Sequence, residues 1–139
     1  MDVEVNWIAV VAAALSTMAV GSVWYAPQVF GKKWMELVKL DRKKAKEAGI
    51  KPILITLVVS FISAYVLAHV AYLSNFYFAN SFLQDSLSTA FWLWLGMTAA
   101  RMITHDAFEG RPRELTIMNI AHEFVTFMVM GLVIGLLAP

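Results

Sequence analysis

The sequence predicts an all-α polytopic membrane protein, a single domain over residues 1–139 with four transmembrane helices. Hydrophobic residues make up 60% of the chain, charged residues only 15%, and the mean hydropathy is +0.66. Soluble domains carry more charge and less apolar mass. Four apolar stretches also reach the length of about 20 residues that a helix needs to cross the hydrocarbon layer. The third indication is that the 11 Lys and Arg residues fall in or beside alternate connections between these stretches.

The first apolar stretch covers residues 6–26. Trp24 and Tyr25 lie at its end, and amphipathic aromatic rings are typical of the lipid headgroup layer. Pro27 follows and cannot continue the helical hydrogen-bond ladder, so we expect it to end the span.

The segment 28–50 that follows is basic and amphipathic. Apolar side chains recur there at helical spacing among lysines, which predicts a short helix lying in the membrane interface. Asp41 is a candidate N-cap for a further turn or two ending at Gly49, and Pro52 suits the first turn of the next helix. We expect the segment to set the topology and to contact anionic lipid headgroups; a specific protein or phospholipid-headgroup site is the alternative. The apolar positions are Phe30, Trp34, Leu37 and Val38.

The remaining spans are predicted at residues 53–73, 87–104 and 115–137. All basic residues lie between the first and second spans or, as Arg101, Arg111 and Arg113, in or beside the third connection. The N-terminal tail and the connection 74–86 contain no Lys or Arg. Because basic residues mark cytoplasmic loops, we expect a multi-pass protein of the cytoplasmic (inner) membrane with both termini outside.

Small residues at four-residue spacing mark faces where transmembrane helices pack closely. We expect these faces to pack within one bundle, with a homodimer seam as the alternative. Four short helices enclose little interior, so we also expect a homo-oligomer, with a dimer as the first choice. The net charge of +1 provides no field that would attract nucleic acid, so no nucleic-acid partner is expected. The small residues are Ala9, Ala13, Thr17 and Gly21, then Ser60, Ala64 and Ala68, then Gly131 and Gly135.

Polar residues inside a span are costly in lipid and therefore mark candidate functional positions. At about 100° per residue, the fourth span places Asn119, His122 and Glu123 on one face, and the third span places Arg101 and His105 on one face. We expect the two faces to meet and take these five residues as the candidate binding set. Their depths along the helices would let the Arg101 guanidinium reach the Glu123 carboxylate.

An Arg101–Glu123 pair allows several interpretations. The first is an internal ion pair that holds two helices together, where removal of one partner would cost about 3–5 kcal/mol because the other charge stays buried. The second is a site that handles protons or a substrate. A metal site is the third.

The metal interpretation rests on the dipeptides His105-Asp106 and His122-Glu123 and on Glu109, one turn after His105. Strict HxxxH or ExxH pairs are missing, so we predict neither a metal nor a cofactor. The chain has 0 Cys, which excludes thiolate ligands and cysteine catalysis. It contains no nucleophile elbow or glycine-rich phosphate loop. The sequence therefore predicts no catalytic residue and leans against an enzyme, with a cytoplasm-facing His/Asp/Glu centre as the enzyme alternative.

Several short motifs run along the chain: Trp24-Tyr25-Ala26-Pro27, Phe30-Gly31-Lys32, Trp94-Leu95-Gly96 and Phe108-Glu109-Gly110-Arg111-Pro112. In these motifs, and over nearly its whole length, the chain resembles the small bacterial and archaeal membrane proteins of domain-of-unknown-function family 1761. The resemblance implies a four-span fold, and the family has no established activity to carry over. It directs attention to six motif residues, Trp24, Tyr25, Pro27, Phe30, Gly31 and Arg111.

Taken together, these patterns favour a non-catalytic membrane scaffold or accessory subunit. The alternative is an oligomeric transporter or channel component that uses the polar cluster around Arg101 and Glu123.

Overall fold

The computed structural model describes residues 3–139; Met1, Asp2 and the side chains of Arg42, Ala45 and Lys46 lie outside the described part. The side chains of Arg42 and Lys46, two members of the predicted basic segment, are therefore not placed. The described chain is all-helical, with 81% of residues in helices and no strand.

Seven α-helices and one π-helical turn follow one another along the described residues. α1, α4 and α7 are each long and apolar enough to cross a bilayer, which indicates a membrane protein. Two short helices, α2 and α3, occupy the predicted basic segment. The elements are α1 (Trp7–Trp24), α2 (Gly31–Leu37), α3 (Arg42–Glu47), α4 (Lys51–Phe78), α5 (Phe82–Leu93), the π-helical turn (Trp94–Ala99), α6 (Ala100–Glu109) and α7 (Arg113–Leu136).

The helix ends follow local capping chemistry. Asp41 accepts a hydrogen bond from the Lys44 amide at 2.7 Å, which confirms it as the cap of α3. Pro52 lies in the first turn of α4, also as predicted. Asn6 caps α1 with its Oδ1, and its Nδ2 donates to the Leu137 carbonyl at 2.9 Å. The start of α1 and the end of α7 therefore lie at the same end of the bundle, called the terminal end below; α1 ends and α4 and α7 begin at the opposite, basic end.

The long helices form a closed ring in which α1 packs on α4, α4 on α5, α5 on α7 and α7 on α1. Small residues let these helices approach closely, as the ladders predict. A Cβ on Gly131 would lie 2.8 Å from the Ala90 Cβ, and one on Gly135 would lie 2.8 Å from the Leu83 Cα. The glycine pair therefore packs against α5 of the same chain. Between α1 and α4, the Thr17 hydroxyl donates to Ser60 Oγ at 2.8 Å.

The packed core lies in the half of the bundle nearer the terminal end. Buried residues from all four long segments meet there, and the largest are apolar. Toward the basic end the first half of α4 is exposed instead, including Ile53 at 57% and Val59 at 54%. The helices thus close tightly at one end and leave space at the other. The core is built from Val10, Ala13, Ala14, Ala64, Leu67, Ala68, Ala90, Met130 and Ile134.

A hydrogen-bonded cluster of Asn75, Asn80 and Asp85, called the latch below, joins α4 to α5 at the terminal end. The Asp85 carboxylate is only 3% exposed. It accepts hydrogen bonds from Asn75 Nδ2 at 2.9 Å and Asn80 Nδ2 at 3.0 Å. Asn75 Nδ2 also donates to the Asn80 carbonyl at 2.9 Å. The buried carboxyl group is therefore held by two side-chain amides, one from the last turn of α4 and one from the connection that follows it.

The predicted third span lies in a continuous run of helix from Phe82 to Glu109. Within this run the π-helical turn separates α5 from α6. An i→i+5 turn contains about one residue more than an α-helical turn. Compared with a continuous α-helix, each such turn therefore shifts the residues that follow it by about 100° around the helix axis. The buried face accordingly passes from Ser86 and Ala90 before the turn to Ala99 and Asp106 after it.

Candidate ligand-binding pocket at the basic end

The motif that follows α1 folds into a tight turn. The amide of Phe30 donates to the Trp24 carbonyl at 3.1 Å, and the amide of Gly31 donates to the Ala26 carbonyl at 3.1 Å. Gly31 is buried, and a Cβ added there would collide with the carbonyl group of Tyr25. Only glycine allows this close approach of backbone to backbone. Pro27 lies exposed within the turn, where its missing amide hydrogen leaves no bond unmade.

This turn presents two aromatic rings to α7. The ring centroid of Tyr25 lies 5.0 Å from that of His122, and the centroid of Trp24 lies 5.8 Å from it. Two further rings pack against them: the Trp34 centroid lies 5.3 Å from that of Tyr25, and the Phe30 centroid lies 4.6 Å from that of Trp24. The family motif and the polar face of α7 therefore meet at one point.

His122 and Glu123 form an acid–imidazole pair on α7. His122 Nδ1 lies 3.3 Å from Glu123 Oε1, with the side chains 14% and 33% exposed. His122 Nε2 is buried and has no hydrogen-bond partner among residues 3–139. A Cβ on Gly21 would lie 3.9 Å from this nitrogen, so α1 passes close to the imidazole at this glycine.

A cavity of about 670 Å³ opens beside this pair, between α1, α4 and α7. Its walls are mainly apolar, while Tyr25, His122 and Glu123 line its basic end. Hydroxyl groups from three helices add weak donors and acceptors along the walls. This volume lies within the range of about 300–1,000 Å³ typical of small-molecule pockets. The hydroxyl residues include Thr17, Thr56, Ser60, Ser63 and Thr126.

The predicted Arg101–Glu123 contact was wrong. Arg101 and His105 are both exposed, and Arg101 forms no ion pair within the described part of the chain. The π-helical turn explains the error because a uniform step of about 100° per residue does not hold across it. Glu123 pairs with its neighbour His122 instead.

The predicted polar face of α7 was right. Thr126 and Met130 continue the face of His122 and Glu123 at helical spacing and are buried, whereas Ile117, on the other side of the helix, is 67% exposed. Asn119 lies on the polar face, about one turn before the acid–imidazole pair, and its Oδ1 is buried with no partner among the described residues. Of the five candidate binding residues, His122 and Glu123 line the cavity.

Arg111 belongs to a separate cluster between α6 and α7. Its Nε lies 2.6 Å from Glu109 Oε2 and 3.6 Å from Asp106 Oδ1. Asp106 is 7% exposed and accepts a hydrogen bond from the Thr116 hydroxyl at 2.7 Å. Gly110 supplies the positive φ of 66° that the turn requires. This cluster therefore holds the two helices together, a role of Asp106 that helical periodicity in the sequence does not indicate.

The metal interpretation gains no support from the geometry. His105 is exposed, whereas Asp106 is bonded to Thr116. Within residues 3–139, no group of three or more His, Asp or Glu side chains is placed to hold a metal ion.

The α4 wall of the cavity was missed from the sequence. Thr56, Ser60 and Ser63 recur at spacings of four and three residues, which places them on one helix face. The ladder of small residues identifies Ser60 only as a packing residue. The spacing of the three hydroxyls was the signal that could have identified the wall.

The fold and the cavity define an all-helical, membrane-compatible protein with an acid–imidazole pair beside an apolar pocket. The chain belongs to the family described as "Protein of unknown function (DUF1761)", whose profile matches residues 8–135. This confirms the resemblance seen in the sequence motifs. Searches of curated proteins and of solved structures found no match.

Proposed function

We propose that this protein binds a small amphiphilic molecule in the basic-end cavity and serves as a transporter or a transporter component. The observation that carries the proposal is the cavity itself, an apolar chamber of about 670 Å³ with Glu123 and His122 in its wall. A scaffold needs no such space. An acidic residue inside a membrane is energetically costly, so its presence there marks a functional position. The sequence suggested that Glu123 pairs with Arg101 and holds two helices together. Because the two residues do not form an ion pair, Glu123 does not have that structural role.

The proposed arrangement in the membrane has four spans, with the segment from Phe82 to Glu109 as the third. The basic end would face the cytoplasm and both termini the outside of the cytoplasmic membrane, since basic residues favour the cytoplasmic side. Short helices α2 and α3 would then lie at the inner interface, where exposed Lys32 and Lys43 could meet anionic headgroups. Lys33 is engaged by Glu114 at 2.9 Å, and this hydrogen bond raises the pKa of Lys33.

Occupancy of the cavity can be tested by cysteine protection, because the natural chain has 0 Cys. Ser63→Cys places one thiol in the cavity wall, and Lys43→Cys places one on exposed α3 as the control. The purified variants, in lipid nanodiscs, are treated with a maleimide in the presence of four adamantane compounds: the amine, the trimethylammonium, the alcohol and the carboxylate. Protection of Ser63→Cys but not Lys43→Cys by any of them supports the proposal. Protection by none would overturn it.

Transport is tested separately in liposomes that contain the intact protein. A compound that protects the cavity cysteine is placed outside, and its uptake is followed under an imposed pH gradient. We expect uptake to depend on Glu123 and to fall in Glu123→Gln, with the exposed variant Glu36→Gln unchanged. Binding without uptake would leave a binding subunit and reject the transporter.

A second candidate, an accessory subunit within a homo-oligomer, is favoured by one exposed stripe. Met97, Arg101, Thr104, His105 and Phe108 recur at helical spacing and are all exposed. In a membrane, a charged side chain on such a face needs a partner, and a second copy would cover it. Disulfide cross-linking of Met97→Cys tests this, with Ile117→Cys on the exposed face of α7 as the control. A monomeric product in both variants would reject the stripe as a dimer interface.

A further inference from the structure

We infer that the basic-end cavity opens sideways into the hydrocarbon layer between α4 and α7, and that its ligand is a lipid-like amphiphile whose hydrocarbon chain enters there. This inference rests on the proposed binding function and adds the class of the ligand and its route. It depends on the exposure of the first turns of α4, on the course of the helices after the π-helical turn, and on the depth and apolar surface of the cavity.

The first turns of α4 are exposed on all sides. Ile53, Leu54 and Ile55 are 57%, 52% and 54% exposed, and Thr56 is exposed as well. Successive residues point about 100° apart around a helix, so these four together face every direction. The first buried residue of α4 is Ser60. Because Ile53, Ile55 and Thr56 also line the cavity, the cavity is not closed along this part of α4.

The gap beside these turns lies between α4 and α7. At the terminal end α5 fills this position, since it packs on both helices. Beyond the π-helical turn, α6 packs on α7, where Asp106 bonds to Thr116. Among the described residues, none between Phe82 and Glu109 lines the cavity. The gap at the basic end, bordered on α4 by Ile53 to Val59, is called the lateral opening below.

The cavity has about the depth of one lipid leaflet. Its wall on α4 extends from Pro52 to Ser63, a length of about 16 Å at 1.5 Å per residue. Half of the roughly 30 Å hydrocarbon layer is about 15 Å. α4 is long and apolar enough to cross the bilayer. In the proposed arrangement the lateral opening therefore faces the lipid chains of the leaflet at the basic end.

The surface that a chain meets at the lateral opening is apolar. Ile55 and Val59 border it on α4, and Phe127 lines the cavity on α7. The Thr56 hydroxyl donates to the Pro52 carbonyl of its own helix at 2.9 Å, so its hydrogen is already bonded. Such a surface binds hydrocarbon through apolar contact, as the walls of small-molecule pockets generally do. The polar head of the amphiphile would remain at the basic end.

Phospholipids with brominated chains test the lateral opening directly, because bromine quenches a nearby fluorophore. A bimane dye is attached to Ser63→Cys in the cavity wall, and to Ile62→Cys at the same depth on the exposed outer side of α4. Lys43→Cys carries the dye on exposed α3. Relative to nanodiscs of ordinary lipid, we expect brominated lipid to quench the dyes at Ser63→Cys and Ile62→Cys to a similar extent. Iodide, which stays in water, should quench only the dye at Lys43→Cys.

A matched pair of substitutions tests the route. Val59→Phe narrows the lateral opening, since Val59 lines the cavity and is exposed. Val58→Phe is the control, because Val58 is equally exposed to lipid but lies in the outer groove between α1 and α4. We expect Val59→Phe to reduce the quenching of the dye at Ser63→Cys and Val58→Phe to leave it unchanged. Helical circular dichroism checks that each variant folds, and Thr56→Cys, also in the cavity wall, replaces Ser63→Cys if that variant does not fold.

The failures are distinguishable. Quenching of the cavity dye by iodide would show an opening to water, and quenching by neither agent would show a cavity that is closed or covered by a second copy. Equal quenching in Val59→Phe and Val58→Phe would place the entrance elsewhere. Each of these results overturns the lateral opening and leaves protection by the adamantane compounds, and so the binding function, intact. Protection by none of the four compounds would remove the proposed function and this inference together.

Discussion

The Tyr25 ring lies 5.0 Å from the His122 ring, so the turn after the first helix touches the polar face of the last. These two residues are far apart in the chain and were identified on different grounds. Tyr25 is part of the family motif, whereas His122 is a polar residue inside a predicted span. Their contact gives the motif a physical role, since the turn holds Tyr25 against His122 where both line the cavity.

Gly31→Ala should destabilise the protein because the added Cβ would collide with the Tyr25 carbonyl, a backbone group that cannot rotate away. We expect a loss of about 1–3 kcal/mol in unfolding free energy, the usual cost of overpacking, and a shift of Tyr25 away from His122. Denaturant unfolding in mixed micelles measures it. Gly96→Ala is the matched control, since a Cβ there meets nothing within 4 Å. Equal stability of the two variants would contradict the tight turn.

Asp85→Ala should weaken the latch at the terminal end. The substitution leaves the amide of Asn80 without its acceptor, and the lost hydrogen bonds to a buried carboxylate should cost about 1–3 kcal/mol. The unfolding free energy of Asp85→Ala is compared with that of Gln84→Ala, an exposed neighbour on the same helix. A result in which the two variants unfold alike would mean that the latch contributes nothing to stability.

Glu123 should couple energetically to His122 and not to Arg101. Double-mutant cycles with Arg101→Leu, His122→Gln and Glu123→Gln measure both couplings in unfolding free energy. Residues without contact add to within about 0.5 kcal/mol, whereas contacting partners couple by about 0.5–3 kcal/mol. A coupling of several kcal/mol between Arg101 and Glu123 would show that the ion pair forms after all.

Much of the fold could be predicted because it depends on local chemistry. Apolar runs and capping residues such as Asp41 and Pro52 place the helices, and a uniform helical step finds the polar face of α7. The face of the third segment could not be predicted in this way, since the π-helical turn at Trp94–Ala99 changes the step. The residue types in that turn do not by themselves predict a π-helical turn. The burial of Asp106 and the exposure of Arg101 both follow from this one irregularity.

The candidate site was predictable only in part for a different reason. His122 and Glu123 are conspicuous because charge inside an apolar span is costly. The cavity beside them depends on how far α1, α4 and α7 diverge toward the basic end, a tertiary property without a local sequence signal. Its polar wall on α4 consists of Thr and Ser, which also serve as ordinary small packing residues in membrane helices.

The four-span arrangement predicts that the chain crosses the membrane between Lys43 and Tyr77, and again between Tyr77 and Phe108. α4 is long enough for the first crossing, and the 12, 6 and 10 residues of α5, the π-helical turn and α6 in series exceed the about 20 needed for the second.

Single cysteines test both crossings, because Tyr77 is 80% and Phe108 93% exposed and the natural chain has 0 Cys as background. In sealed right-side-out vesicles, an impermeant maleimide should label Tyr77→Cys at once. It should label Lys43→Cys and Phe108→Cys only after the vesicles are opened. Immediate labelling of both Tyr77→Cys and Phe108→Cys would show that the segment divided by the π-helical turn does not cross.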